Sequence, residues 1–241
     1  MQCIIIDGSH PARTGHGTDN RRRSMIEVAG EPFIRHQLRL LKDGGVDDAL
    51  ICIGEPGSAI EDEVTRHHPD GMTVRCSTAA GRYLGTGSAL RRAATDGLTD
   101  EQFMVLHVGS YPLVDLADIW EWFDVTRHLG LMTVWHYDGR LETSNAAVRN
   151  GRVVVYRNAA IHSAHPSLTY IGGGLGVLTA DAVLDLVPAD QPDDLGVLYR
   201  TIATRGQLEA YEVNERFHDI GPESGRTAFD RLLASELQRW A

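Results

Sequence analysis

The sequence predicts an α/β fold: a mostly parallel, twisted sheet with helices on both faces. Three observations carry that prediction. Short unbroken apolar runs, such as residues 3–6 and 103–106, read as strands buried on both faces. Segments with apolar residues at helical spacing lie between these runs, and strands that alternate with helices in this way form a parallel sheet wound on both sides. The 241 residues, 42% of them hydrophobic, suffice for one sizeable core.

Residues 2–6 form an isoleucine-rich strand, and turn formers fill 7–17, where a glycine-bearing loop can set backbone N–H groups against phosphate. A short apolar segment at 25–28 precedes Pro32, which suits the start of a helix. Phe33, Ile34, Gln37, Leu38, Leu40 and Leu41 recur at helical spacing, and Gly44 and Gly45 end that helix. A strand at 48–54, a helix at 58–68 with Ser58 as N-cap and a strand at 72–77 follow. Gly85, Thr86, Gly87 and Ser88 then open a helix; their glycines either let a flat ligand approach the backbone or mark an ordinary helix start.

Residues 103–112 hold the central strand. It stops abruptly at Gly109 and Pro112, and the carboxyl end of such a strand is where open α/β sheets bind ligands. It presents His107, Gly109, Ser110 and Tyr111 there, with no carboxylate. A helix at 116–129 turns Trp120 and Phe123 to the core, and a strand covers 131–136. Asn150-Gly151 makes a hairpin of 146–148 and 153–156. Residues 159–166 are a loop with His162 and His165, and 168–178 carries Gly172, Gly173 and Gly174. Helices at 180–186 and 195–205, an edge strand at 208–213 and a closing helix at 226–238 complete the chain. His67, His68 and His128 are expected to face solvent at helix ends.

A net charge of -10, with basic residues scattered except at Arg21, Arg22 and Arg23, carries no nucleic-acid footprint. No apolar run approaches the roughly 20 residues of a membrane span. Residue 1 leads straight into a strand without a signal peptide, and Cys3, Cys52 and Cys76 read as small core residues of a reducing compartment, so a cytoplasmic protein is expected. Lys42 is the sole lysine, so chemistry that needs an amine at the site has no other source.

Five motifs stand in order: 25–30 (MIEVAG), 84–90 (LGTGSAL), 143–145 (TSN), 174–178 (GLGVL) and 216–221 (RFHDIG). Together they resemble the sugar-1-phosphate nucleotidylyltransferases, and most closely the short bacterial subgroup acting on muramate or heptose phosphates. The resemblance covers essentially the whole chain. It implies a GT-A-like, Rossmann-type domain over 1–241, with a nucleotide-binding half at 1–136. A small β-rich region belongs to the sugar-binding half at 137–241, together with the C-terminal helices. The implied reaction joins a sugar 1-phosphate to a nucleoside triphosphate and releases pyrophosphate, with Mg²⁺ as cofactor and a nucleotide and a sugar phosphate as partners; a homodimer is left open.

The resemblance also assigns residues. Asp7, Gly8, Ser9, Gly85, Thr86, Gly87, Ser88, His107 and Gly109 would line the nucleotide, and Ser110, Tyr111, Asn145, Gly172 and Gly174 the sugar. Arg13, Arg23 and Asp219 would be catalytic. Several positions depart from the family pattern. Asp7 replaces a neutral residue and Pro11 a flexible glycine, Arg23 stands for the phosphate-binding lysine, and Gly109 stands where the family has a metal-binding aspartate. Gly172 likewise stands where the subgroup has an acid associated with the sugar site.

Three readings follow. The first is an enzyme with an atypical site. The second is a protein that binds nucleotide, sugar phosphate or a protein partner without turnover. The third is a repurposed enzyme in which His10, His107, His136 or His218 joins Asp219, either for acid–base work or to hold Zn²⁺ or Fe²⁺, with Asp219, His107 and His218 the candidate ligands.

Overall fold

The computed structural model describes residues 1–6, 23–53, 58–78, 85–137, 144–157, 168–189 and 191–239. The amino-terminal half runs β1 (Gln2–Ile6), a single 3-10 turn (Arg23–Met25), short strands β2 (Glu27–Val28) and β3 (Glu31–Pro32), α1 (Phe33–Asp43), β4 (Asp48–Ile53), α2 (Ser58–Arg66), β5 (Thr73–Thr78), α3 (Thr86–Thr95) and β6 (Gln102–His107). It continues with β7 (Ser110–Tyr111), α4 (Leu116–Thr126) and β8 (Gly130–His136). The hairpin β9 (Ala146–Arg149) and β10 (Arg152–Tyr156) follows, then β11 (Tyr170–Thr179), α5 (Ala180–Leu186), α6 (Leu195–Thr204), β12 (Leu208–Val213), β13 (His218–Asp219) and α7 (Glu223–Arg239).

Nine strands form one sheet in the order β5-β4-β1-β6-β11-β8-β12-β10-β9. The pairings orient all of them alike except β10 and β11, which run the opposite way, so the sheet is mostly parallel as expected. Side chains alternate along each strand. Ile4, Ile6, Phe103 and Val105 therefore enter one core with Leu90, Leu195, Leu198 and Tyr199, beneath α3 and α6. Cys3, Ile5, Met104 and Leu106 enter the other with Ile34, Leu38, Leu41, Ile119 and Phe123, beneath α1 and α4. Each of these fully buried isoleucines and leucines stabilises the fold by about 1.5–3 kcal/mol through leaving water.

Local chemistry sets the helix ends. Asp115 caps α4 by accepting from the N–H groups of Ala117 and Asp118 at 2.9 and 3.3 Å, and Thr179 caps α5 through the N–H of Ala182. α4 stops at Thr126, short of the expected 129, because Arg127 turns left-handed at φ 51° and returns its N–H to the Phe123 carbonyl. Residues 208–213, expected at an edge, lie inside the sheet between β8 and β10. Within that strand Glu209 is buried, 2.9 Å from His128 Nδ1 and 3.7 Å from Arg152 Nε. His128 is accordingly mostly buried, contrary to expectation. Cys3 and Cys52 are buried and Cys76 half-buried, all free. Among the described residues no helix is long and apolar enough to cross a membrane.

Candidate functional site

From β1 the chain adds β4 and then β5 on one side, and returns to place β6 on the other side of β1. Strand order thus reverses between β1 and β6, and the crevice outside the carboxyl ends at such a reversal is the natural ligand site of an open α/β sheet. Ile6 pairs with His107 in register there, and the Val108 N–H donates to the Ile6 carbonyl at 3.0 Å.

Two remote segments deliver charge to this point. β13 pairs antiparallel with β7, setting Asp219 opposite Ser110, and the Ile220 N–H donates to the Gly109 carbonyl. The 3-10 turn brings Arg23. A Cβ on Gly109 would lie 3.3 Å from Arg23 Cδ, 3.5 Å from Arg23 Nη1 and 3.4 Å from Asp219 Oδ1. A Cβ on Gly221 would lie 3.2 Å from Arg23 Cζ and 3.1 Å from the same Asp219 oxygen. Guanidinium and carboxylate therefore share the space between two glycines, and the Gly221 N–H donates to Asp219 Oδ1 at 2.9 Å. Arg23 stays exposed and Asp219 half-exposed, so both remain open to a ligand.

His107 titrates below the usual histidine range, first because it is desolvated and then because Arg23 opposes a second positive charge, with Asp219 pulling weakly the other way. It is neutral at pH 7. His218 is also pushed down, mainly by desolvation, and packs against Phe229 at 6.0 Å.

The strand end is held rigid by a residue whose function the sequence reading missed. Gln37, fully buried on α1, donates from Nε2 to the carbonyls of His107 at 3.0 Å and Ser110 at 2.8 Å. An amide within an otherwise apolar helical stripe was the available signal. Ser110 is buried, and the Tyr111 ring packs on Phe229 at 4.6 Å and Phe33 at 6.4 Å.

Gly85, Thr86, Gly87 and Ser88 meet the chain itself along one side. The N–H groups of Gly87 and Ser88 donate to the Asp193 carbonyl at 2.9 and 3.2 Å. A Cβ on Gly85, which has φ 100°, would sit 2.3 Å from that oxygen, so the glycine is required by close backbone approach. Thr86 Oγ1 accepts from the Leu195 N–H at 2.8 Å and Ser88 Oγ from the Asp193 N–H at 3.0 Å. The segment thus anchors the start of α6.

Asn145 and the glycines of β11 form another close-packed unit. Asn145 Nδ2 donates to the Gly172 carbonyl at 3.0 Å and its Oδ1 accepts from the Gly172 N–H at 2.8 Å, so the side chain acts as an extra rung of the sheet. It holds Gly172, where the register shift of β11 on β8 begins. A Cβ on Gly172 would meet Met132 Sδ at 2.7 Å, and one on Gly174 the Phe217 ring at 2.5 Å. Packing accounts for these glycines without any ligand.

Asp7, Gly8, Ser9, His10, Arg13, His162 and His165 lie outside the described residues. His136 is exposed and packs edge-on against Tyr170 at 5.1 Å. Among the described residues no three His, Cys, Asp or Glu side chains gather as a metal-ligand set. Beside Asp219 stands the Arg23 guanidinium, a cation where a divalent ion would need a second acid. The described donor set therefore does not fit Mg²⁺, Zn²⁺ or Fe²⁺.

No protein-family profile matches the chain. Among curated proteins it is 23% identical to the glucose-1-phosphate cytidylyltransferase of Salmonella typhimurium, over 88% of both chains. It is 28% identical to the bifunctional protein GlmU of Heliobacterium modesticaldum, over 48% of this chain and 25% of that one. HddC from Yersinia pseudotuberculosis superposes with a TM-score of 0.79 at 18% identity, covering 96% of this chain and 99% of that one, and has also been solved with GMP-PN. The UTP-bound UGPase of Acinetobacter baumannii superposes at 0.76 with 16% identity over 98% and 93%. Such structural likeness at low identity establishes the fold; the chemistry has to come from the site.

Proposed function

We propose that this chain, a low-identity member of the sugar-1-phosphate nucleotidyltransferase family, carries out that family's reaction with an altered reaction centre. A phosphate oxygen of a sugar 1-phosphate attacks the α-phosphorus of a nucleoside triphosphate. The bond from that phosphorus to the bridging oxygen breaks, and pyrophosphate leaves with the electron pair. Positioning and charge stabilisation are most of what such a transfer asks of a protein.

The observation that carries this reading is the delivery of Arg23 and Asp219 to Gly109, at the strand reversal beside β1. Arg23 offers forked donors to phosphate oxygens beside Asp219, whose Oδ1 accepts from the Gly221 N–H. Neutral His107 adds no charge and can exchange a hydrogen bond with a phosphate oxygen or the nucleotide. The motif resemblance assigns Asp7, Gly8, Ser9 and Arg13 to the nucleotide, and Ser110, Tyr111 and Asn145 to the sugar.

The test is pyrophosphate release across a matrix of nucleoside triphosphates and sugar 1-phosphates, compared with Arg23→Gln. Release by one pair, lost in the variant, is expected. Silence across the matrix from a protein that still binds a triphosphate would favour the second reading, binding without turnover, to which the missing side chain at Gly109 points.

A further inference from the structure

We infer that a nucleoside triphosphate binds this cleft without a divalent cation, because the Arg23 guanidinium occupies the place and supplies the charge that a metal would. The inference rests on the reading of the cleft as a triphosphate site and goes beyond it by replacing the cofactor.

The geometry ties two sequence departures into one. Arg23 Cδ stands 3.3 Å from where a side chain at 109 would begin, a tight approach, and Nη1 stands at 3.5 Å, ordinary contact, so a longer side chain there would meet the arginine. An aspartate would need the room that Arg23 now fills. Gly109 is the space for Arg23, and Arg23 is what a side chain at 109 would displace.

Charge points the same way. Asp219 and Arg23 bring one charge of each sign to this point, and the positive member is exposed. A guanidinium has five donors in a planar fork, which suits it to phosphate oxygens. A free cation would be repelled by Arg23 and would find, among the described residues, one carboxylate here, one of whose oxygens already accepts from Gly221.

The experiment is calorimetric titration of the full chain with each of the four ribonucleoside triphosphates, and with inorganic tripolyphosphate as a base-free probe, in excess chelator and again in Mg²⁺. Binding in chelator within about threefold of the Mg²⁺ value is expected, with a loss of roughly tenfold or more in Arg23→Gln, the worth of one charge-assisted bond. Binding that appears only with Mg²⁺ would overturn the inference and leave the triphosphate reading standing. No binding under either condition would overturn both. Arg23 is exposed, so Arg23→Gln should keep the wild-type melting temperature, which separates lost affinity from lost fold. As an independent readout, Mn²⁺ titration followed by electron paramagnetic resonance should show no bound ion in the wild type. It should show a bound ion in the double variant Gly109→Asp with Arg23→Lys, where the second carboxylate is restored; tight Mn²⁺ binding by the wild type would contradict the inference.

Discussion

Thr86→Val should destabilise the protein although it changes neither the size of the side chain nor its branching. In the structure the Thr86 hydroxyl accepts from the Leu195 N–H at 2.8 Å across 109 residues, and Asp194 at the N-cap makes no side-chain bond to the turn that follows. The first turn of α6 thus takes a cap from α3, and Leu195 is 1% exposed, so water cannot replace the lost acceptor. Leaving a buried N–H without a partner costs about 1–3 kcal/mol. In a chain of this length each kcal/mol lowers the melting temperature by roughly 2–4 °C. Thr86→Ser keeps the acceptor and loses one methyl group, worth about 0.8 kcal/mol. Urea unfolding of the three proteins decides the matter. Valine should cost more than serine; a valine variant as stable as the wild type would refute the capping role.

Gly176→Ala should cost about 1–3 kcal/mol, because its Cβ would lie 2.3 Å from the Tyr199 hydroxyl and 2.7 Å from the Leu131 carbonyl, both held within the sheet core. Adding Tyr199→Phe should recover part of that loss in chemical denaturation, and strict additivity of the two changes would count against the contact. His36 is buried on α1, and its pKa is lowered first by desolvation and then by Arg39, opposed by the Val28 carbonyl, Glu31 and Asp230. The unfolded chain therefore binds the proton more readily, so stability should fall as pH drops below about 6.5 and stop falling once the folded histidine protonates. His107 and His218 shift in the same direction, whereas Glu31 and Glu63 act only at lower pH. Melting temperatures between pH 7.5 and 5 should decline less in His36→Gln, and an unchanged slope would remove His36 from the cause.

Most of the fold was legible because apolar runs and helical spacing are local. Residues 103–106 announced a doubly buried strand, and Asn150-Gly151 announced the hairpin it makes between β9 and β10. The interior place of β12 was not legible, since it depends on which strands come to lie beside it and on His128 and Arg152 coming to lie by Glu209. At the site, Gly109 marked a missing acid, but a sequence cannot show that the vacated volume is filled by Arg23, 86 positions away. The glycines at 85 and 172–174 suggested room for ligands. Structurally they answer to Asp193, Met132, Tyr156 and Phe217, contacts between segments far apart in the chain.

The most direct measurement is a crystal structure with a nucleoside triphosphate and a sugar 1-phosphate soaked together in the absence of divalent ions. Triphosphate oxygens within hydrogen-bond distance of the Arg23 guanidinium, outside the carboxyl ends of β1 and β6, are the expected result. Triphosphate bound elsewhere, or at this cleft only through a metal held by Asp219, would contradict it.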